Sequence, residues 1–263
     1  MSQYQTVLVS VEGPIARVTI NRPDKLNALN PTVIAELTAA FVALDNDPNV
    51  RVAILAGAGE KSFVAGADIA AMAPLNAEEA RRFASQGHAL GDVLESAHFP
   101  VIAQVQGFAL GGGCELACAC DLVYAGEKAR FGQPEVGLGV IPGFGGTQRL
   151  KRRVGVGKTR ELVFRANIID AKTAAEIGLV EQVFPQDQLE AEVKKIAEEI
   201  ARQAPVAIAQ AKRVMRAGQD VPLQVANQLE IQAFGVCFGT EDQKSGMKSF
   251  VENPKAPRTF SGK

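Results

Sequence analysis

A chain of 263 residues, 47% hydrophobic and 22% charged, has enough apolar material for one substantial core, or for a core with a small appendage. Its formal net charge of -1 supplies no broad field toward nucleic acid or an anionic membrane surface. No apolar run reaches membrane-spanning length, and the amino-terminal MSQYQTVLVSVEG lacks the basic start and apolar block of a secretion signal, so the cytoplasm is the expected compartment.

Alternation of apolar and polar residues over 6–12 and 15–20, on either side of Gly13-Pro14, predicts a strand pair. Asn30-Pro31 then opens a helix, with Asn as the cap and Pro in the first turn. Val33, Ile34, Leu37, Phe41 and Leu44 fall on one face of it. VAILAG, 52–57, is a short continuous apolar run that suits a buried strand. Asn76 and Glu79 have capping-box spacing and start a helix that runs to about Ala97. PVIAQVQG, 100–107, and DLVYAG, 121–126, are two further strands, with a turn and a small helix between them. Strands alternating with helices imply crossover connections and a largely parallel sheet, an α/β fold. After Asp187 the pattern changes to consecutive helices over 187–203, 205–217, 222–239 and 241–251. This tail is expected to have little sheet left to cover and to pack on the core and on other subunits.

Four cysteines are present, three of them (Cys114, Cys118, Cys120) within seven residues on what reads as one helix. Helix geometry disfavours a disulfide there, and no Cys-x-x-Cys pair or nearby His supports a metal site. Buried small thiols in a reducing compartment are the expected state.

Glu115 is the only acidic or basic side chain between His98 and Asp121, in GFALGGGCELACACD. Leu, Ala and Cys occupy every helical face around it. Burying an unpaired carboxylate costs roughly several kcal/mol, so its presence calls for a reason. Three glycines precede it. A strand, a Gly-rich turn and a helix together expose backbone N–H groups at a helix start, and glycine lets another group approach them. Such donors stabilise a charge that develops during reaction. FVAGADI, 63–69, offers a similar exposed amide at Gly66-Ala67-Asp68. FGQPEVGLGVIPGFGGTQRL, 131–150, carries Glu135, with no further charge until Arg149. Two carboxylates in uncharged surroundings are usual equipment for moving protons, because such surroundings raise a pKa toward neutrality.

At these residues the sequence resembles the enoyl-CoA hydratase (crotonase) family. NRPDKLNAL (21–29), FVAGADI, GFALGGGCELA, ARFGQPEVGLGVIPGFGGTQRL, AAEIGLV (174–180) and TEDQKSGMKSFVE (240–252) occur in that family's order. The resemblance covers nearly the whole chain and is strongest toward short-chain hydratases acting on crotonyl-CoA. It implies a crotonase-type spiral of ββα units as a core over 1–200, and a helical region over 201–263 for trimerisation and active-site cover. It also implies a homo-oligomer, a hexamer built as a dimer of trimers. The implied activity is reversible addition of water to a trans-2-enoyl-CoA, giving a 3-hydroxyacyl-CoA. The acyl-CoA is the substrate, and no cofactor or metal is called for. By resemblance, Glu115 and Glu135 are catalytic, Ala67 and Gly112 supply the oxyanion-hole amides, and Gly143 positions the water. Lys25, Leu26, Ala28, Ala67, Asp68 and Ile69 contact CoA. Ala70 departs from the family, where many relatives carry Lys; a phosphate contact from that Lys is lost or supplied elsewhere.

Other readings are weaker. GVGKT, 155–159, ends like a phosphate-binding loop, but Arg152 stands where that loop needs its first Gly. RLKRRVGVGKTR, 149–160, reads as a solvated basic face or a contact for CoA phosphates. RNA binding would need stacking aromatics along a basic face, and the chain has no Trp and two Tyr. His88 and His98 lie outside every motif, so a Ser-His hydrolase has no candidate base. Isomerisation, decarboxylation or dehalogenation of an acyl-CoA would keep the oxyanion hole and change the acid/base groups; glutamates at both 115 and 135 favour hydration. Phe83, Leu90 and Leu94 are candidates either for the acyl pocket or for plain core packing.

Overall fold

The computed structural model describes residues 4–263, so the first three residues of the core expected over 1–200 lie outside the described residues. The chain runs β1 (Val7–Glu12), β2 (Ile15–Ile20), α1 (Pro31–Asp45), β3 (Val52–Gly57), β4 (Ser62–Val64), α2 (Ile69–Met72) and α3 (Ala77–Ser96). It continues through β5 (Val101–Val105), β6 (Phe108–Leu110), α4 (Gly112–Ala119), β7 (Leu122–Gly126), β8 (Arg130–Gly132) and α5 (Gly146–Arg165). It ends with β9 (Ile168–Asp170), α6 (Ala171–Glu176), β10 (Gln182–Phe184), α7 (Leu189–Ala201), α8 (Pro205–Gly218), α9 (Leu223–Cys237) and α10 (Glu241–Glu252).

The strands form two sheets, one in the order β1-β2-β3-β5-β7-β10 and one in the order β4-β6-β8-β9. Among the described residues, only the β1/β2 and β8/β9 pairs are antiparallel. A unit recurs three times: β3-β4-α3, β5-β6-α4 and β7-β8-α5. In each, the first strand joins the large sheet, the second joins the small sheet, and a helix leads to the next turn. The result is a spiral of ββα units.

Local signals account for the helix starts. The Asn30 side chain accepts from the Val33 N–H at 2.9 Å, and Pro31 fills the first position, where its missing N–H costs nothing. Asn76 and Glu79 form both reciprocal bonds of a capping box. Val33, Ile34, Leu37, Phe41 and Leu44 are all buried in the main core.

The large sheet is covered on both faces. Ala53 and Leu55 of β3 face the main core, while Val52 and Ile54 meet Leu189, Val193 and Ala197 of α7. This double burial explains why β3 reads as an unbroken apolar run. It also corrects the expectation that the helical tail has little sheet left to cover, because α7 closes the second face of the large sheet. The later helices α8–α10 leave large apolar side chains outward, among them Leu223, Phe234 and Phe250 at 73%, 65% and 57% exposure.

Lys212 ties this tail to the core. Its buried ammonium donates to the Leu94 carbonyl at 2.8 Å, the Phe99 carbonyl at 2.9 Å and the Asp121 carboxylate at 2.7 Å. All three donors are satisfied, which makes a buried ammonium tolerable. Removing one partner of such a group leaves the others desolvated and unpaired. Lys212→Met is therefore expected to lower unfolding stability by about 2–4 kcal/mol, measured by urea titration of the purified protein. A loss below about 0.5 kcal/mol would show that the contact is peripheral.

Candidate active site

Three short parallel strands set the geometry. Val64 of β4 pairs with Ala109 of β6, and Leu110 of β6 pairs with Gly132 of β8. Their carboxyl ends therefore lie side by side. Just past β4 come Gly66 and Ala67, past β6 come Gly111 and Gly112, and past β8 come Gln133 and Glu135. The rows touch: a Cβ at Gly66 would meet the Leu110 carbonyl at 3.4 Å, and one at Gly111 would meet Glu135 Oε1 at 2.8 Å.

Glycine is required where these rows meet. Gly111 has φ +50° and ψ -121°, a conformation that L side chains rarely adopt. Gly113 leaves no room for a Cβ, which would sit 1.9 Å from the Val64 carbonyl. The first turn of α4 thus packs directly on the end of β4. Among the described residues, neither the Ala67 nor the Gly112 N–H finds an acceptor. These are the two residues to which the resemblance assigns the oxyanion-hole donors.

Glu115 sits one turn into α4 and is 2% exposed. Its Oε1 accepts from the Phe144 N–H at 2.8 Å and the Gly146 N–H at 2.6 Å. The carboxylate is held by main-chain donors rather than by a direct ion pair. Burial pushes its carboxyl above the ordinary value; the Gly146 and Phe144 amides, the Arg149 charge and the Gly143 amide pull it back. Gly143, assigned by resemblance to the water, thus lies on the loop that faces Glu115.

Glu135 opens a single 3-10 turn, Glu135–Leu138, and is half-buried. Burial, with the Glu115 charge adding, raises its carboxyl from 4.5 to about 7. Gln133, wholly buried, lies beside it. With its amide nitrogen facing the carboxylate, Gln133 donates to Glu135 Oε1 at 2.9 Å and Oε2 at 3.2 Å; the opposite orientation would set oxygen against oxygen. Sequence reading did not single out Gln133. The signal available was a polar residue between the apolar end of β8 and Glu135.

The 22–29 loop is tied to the Ala67 segment. The Leu29 N–H donates to the Gly66 carbonyl at 2.9 Å, and the Asp68 N–H to the Leu29 carbonyl at 2.8 Å. Asn27, buried and at φ +58°, donates to the Ala58 and Ser62 carbonyls at 3.0 and 2.9 Å. Arg22 reaches the Ala28 carbonyl at 2.7 Å and Asp68 at 3.2 Å. Lys25, Leu26 and Ile69 remain exposed beside this loop, while Ala28, Ala67 and Asp68 are partly buried. Leu90 joins Leu29, Leu116 and Phe144 around a small gap against Glu115. Phe83 packs edge-on against Phe144 at 5.1 Å, and Leu94 is fully buried in the core.

Apart from Arg149, the remaining motifs resolve away from the site. GVGKT lies inside α5, which kinks at Gly155. Four residues of the basic run have partners: Arg149 with Glu95, Arg152 with Asp220, Arg153 with Glu181 and Lys158 with Glu161. His98 pairs with Asp45 at 2.9 Å. All four cysteines are free thiols, with Cys114, Cys118 and Cys120 buried.

The family model described as enoyl-CoA hydratase/isomerase matches residues 10–261. The chain belongs to the enoyl-CoA hydratase/isomerase family. Among its relatives are a crotonyl-CoA hydratase of Syntrophomonas wolfei, 47% identical over 96% of this chain and 97% of that protein, and a short-chain-enoyl-CoA hydratase of Clostridium acetobutylicum, 48% identical over the same shares. A crystal structure of an enoyl-CoA hydratase from Bacillus anthracis superposes with TM-score 0.95 at 38% identity, covering 98% of this chain and all of that one. The fold is that of crotonase.

The raised Glu135 carboxyl has a thermodynamic consequence. A carboxyl at about 7 in the folded state contributes stability below its ordinary 4.5, and that contribution is lost as pH rises through 7. Partial exposure and the Gln133 amide reduce the effect, to about 1–2 kcal/mol. Glu135→Gln should therefore gain stability over wild type at pH 8 but not at pH 4.5. Equal differences at both pH values would show that Glu135 titrates normally.

Proposed function

We propose that the protein is an enoyl-CoA hydratase adding water reversibly to short-chain trans-2-enoyl-CoA thioesters. The observation that carries this reading is the meeting of two acids, the buried Glu115 and the half-buried Glu135, with two unpartnered amides at the ends of adjacent parallel strands.

The thioester carbonyl oxygen sits between the Ala67 and Gly112 amides. As a water attacks the β-carbon, the C=C electron pair moves onto this oxygen as an enolate, and the two donors stabilise the charge. Glu115 holds the attacking water and takes its proton. Glu135 delivers a proton to the α-carbon, and the carbonyl re-forms. The cycle closes when the proton on Glu115 is returned to Glu135 through solvent. The two environments suit these roles. Burial raises both carboxyls, but at Glu115 the Gly146 and Phe144 amides and the Arg149 charge oppose it, whereas Glu135 is raised to about 7. Run backwards, Glu135 is the base that removes the α-proton.

The CoA portion lies along Lys25, Leu26, Ala28, Ala67, Asp68 and Ile69. The exposed Lys25 sits at the end of a 3-10 turn that faces solvent. Two acids, rather than one, support hydration over double-bond isomerisation. We further place the enzyme in the cytoplasm, which the free thiols support; among the described residues no helix is long and apolar enough to cross a membrane. The outward apolar side chains of α8–α10 support a homo-oligomer built on residues 201–263.

The decisive experiment follows the ultraviolet absorbance of the conjugated thioester after crotonyl-CoA is added. It should disappear with wild type. Glu115→Gln and Glu135→Gln should each lower kcat by about 10²–10⁴ with KM little changed. Near-normal turnover in either variant removes its assigned role, and an unchanged spectrum with wild type removes the reading. The hydration rate should fall above about pH 7, where Glu135 loses the proton it donates, and the dehydration rate should rise through the same range. Light scattering after size exclusion should give a mass of three or six chains; a monomer would contradict the assembly.

A further inference from the structure

Arg149 opens the basic run 149–160, yet it does not face solvent. Its guanidinium, 12% exposed, donates to Glu95 Oε1 at 2.6 Å and Oε2 at 3.2 Å, to Asp92 at 3.2 Å, and to the Phe144 carbonyl at 3.0 Å. One side chain therefore spans α3 and the loop ahead of α5. That loop is the one whose Phe144 and Gly146 amides grip Glu115.

The helix opposite is shaped to receive this group. A Cβ at Gly91 would lie 2.8 Å from the guanidinium carbon, and one at Gly87 would lie 2.1 Å from the Phe144 ring. Glycine weakens a helix interior relative to alanine, and in α3 the missing side chains open a trough. Here it seats Phe144 and Arg149, one turn apart on α3. Phe83 closes the end of the trough against the Phe144 ring.

We propose that Arg149 is a positioning residue for Glu115: it clamps the loop that presents two amides to that carboxylate and supplies a cationic field behind it. This deepens the hydratase reading and rests on it for the role of Glu115. The charges around the pair are few. Glu115 is faced by Glu135 from the 3-10 turn, by Arg149 from α5 and by the thiols of Cys114 and Cys118 on its own helix. Arg149 is faced by Asp92 and Glu95 of α3, with Arg216 of α8 at 3.7 Å behind both. The acid pair on α3 fixes the guanidinium, and the guanidinium fixes the loop. Arg149 touches no reacting atom, so it is not a catalytic residue.

The test uses Arg149→Met and Arg149→Lys in the full-length protein. For crotonyl-CoA hydration, Arg149→Met should lower kcat about tenfold or more, with KM within about threefold. The acidic limb of its pH profile should move to higher pH, since losing a cation makes Glu115 harder to ionise. Arg149→Lys keeps the charge but not the fork, so kcat should still fall while the limb stays near its wild-type position. In a Glu115→Gln background, Arg149→Met should add little further loss, because the group it acts through is gone. Carbon-13 NMR of carboxyl-labelled glutamate, with Glu115 assigned from Glu115→Gln, reads the same upward move without turnover. That arm separates the two ideas: wild type inert toward crotonyl-CoA sinks the hydratase reading, while the Glu115 titration still decides this one. A Glu115 titration unmoved by Arg149→Met, or losses that simply multiply with Glu115→Gln, overturns the proposal. Should Arg149→Met not fold, Arg149→Gln replaces it in both arms, and wild-type kcat in Arg149→Lys overturns the clamp.

Discussion

The parallel register of β4, β6 and β8 is the constraint on which the site depends. Each strand is three residues long, too short to hold together alone. The longer strands of the large sheet, each leading directly into one of the short ones, fix their placement. Because the three run the same way, their carboxyl ends open on the same side, as in other parallel α/β sheets where ligands bind at strand ends. The Ala67 amide, the α4 helix with Glu115, and Glu135 thus arrive from three sequence-distant turns of the spiral. A shift of one residue in β6 would turn Gly112 and Glu115 away from Glu135.

Glu115 shows how a carboxylate is kept inside an apolar helix. Water is replaced by amides from a loop some thirty residues later, and the loop is in turn held by Arg149. Glu135 lacks comparable amides from a distant loop, and burial raises its carboxyl to about 7. Two like acids thus sit in unlike surroundings, the condition under which such a pair can take different roles. The arrangement destabilises the fold locally, through helix-interior glycines and a raised carboxyl, and the destabilising features cluster at the site rather than across the core.

Much of this was legible in the sequence. The longer elements announced themselves: the capped helices at Asn30 and Asn76, and the apolar strands at 52–57 and 100–107, matching β3 and β5. The lone charge in an apolar segment pointed to Glu115, and the glycines ahead of it to exposed amides. The small sheet was not legible. Ser62–Val64, Phe108–Leu110 and Arg130–Gly132 are too short for a period of two to repeat, and their neighbours are glycines that read as turns. The helix α5 was hidden by its glycines, one of which, Gly155, does break it. The places of Gln133 and Arg149 were illegible for a different reason. Their meaning lies in partners that only the folded chain supplies, Glu95 being 54 residues from Arg149.

Everything assigned to the site turns on a thioester oxygen lying between the Ala67 and Gly112 amides. Isotope-edited infrared spectroscopy of a saturated short-chain acyl-CoA, carbon-13 labelled at the thioester carbonyl, tests this directly, because the unreactive ligand reports ground-state polarisation alone. On binding, the carbonyl band should move to lower wavenumber as two hydrogen bonds weaken the C=O bond. A bound ligand whose carbonyl band stays at its solution position, or moves higher, would contradict the account.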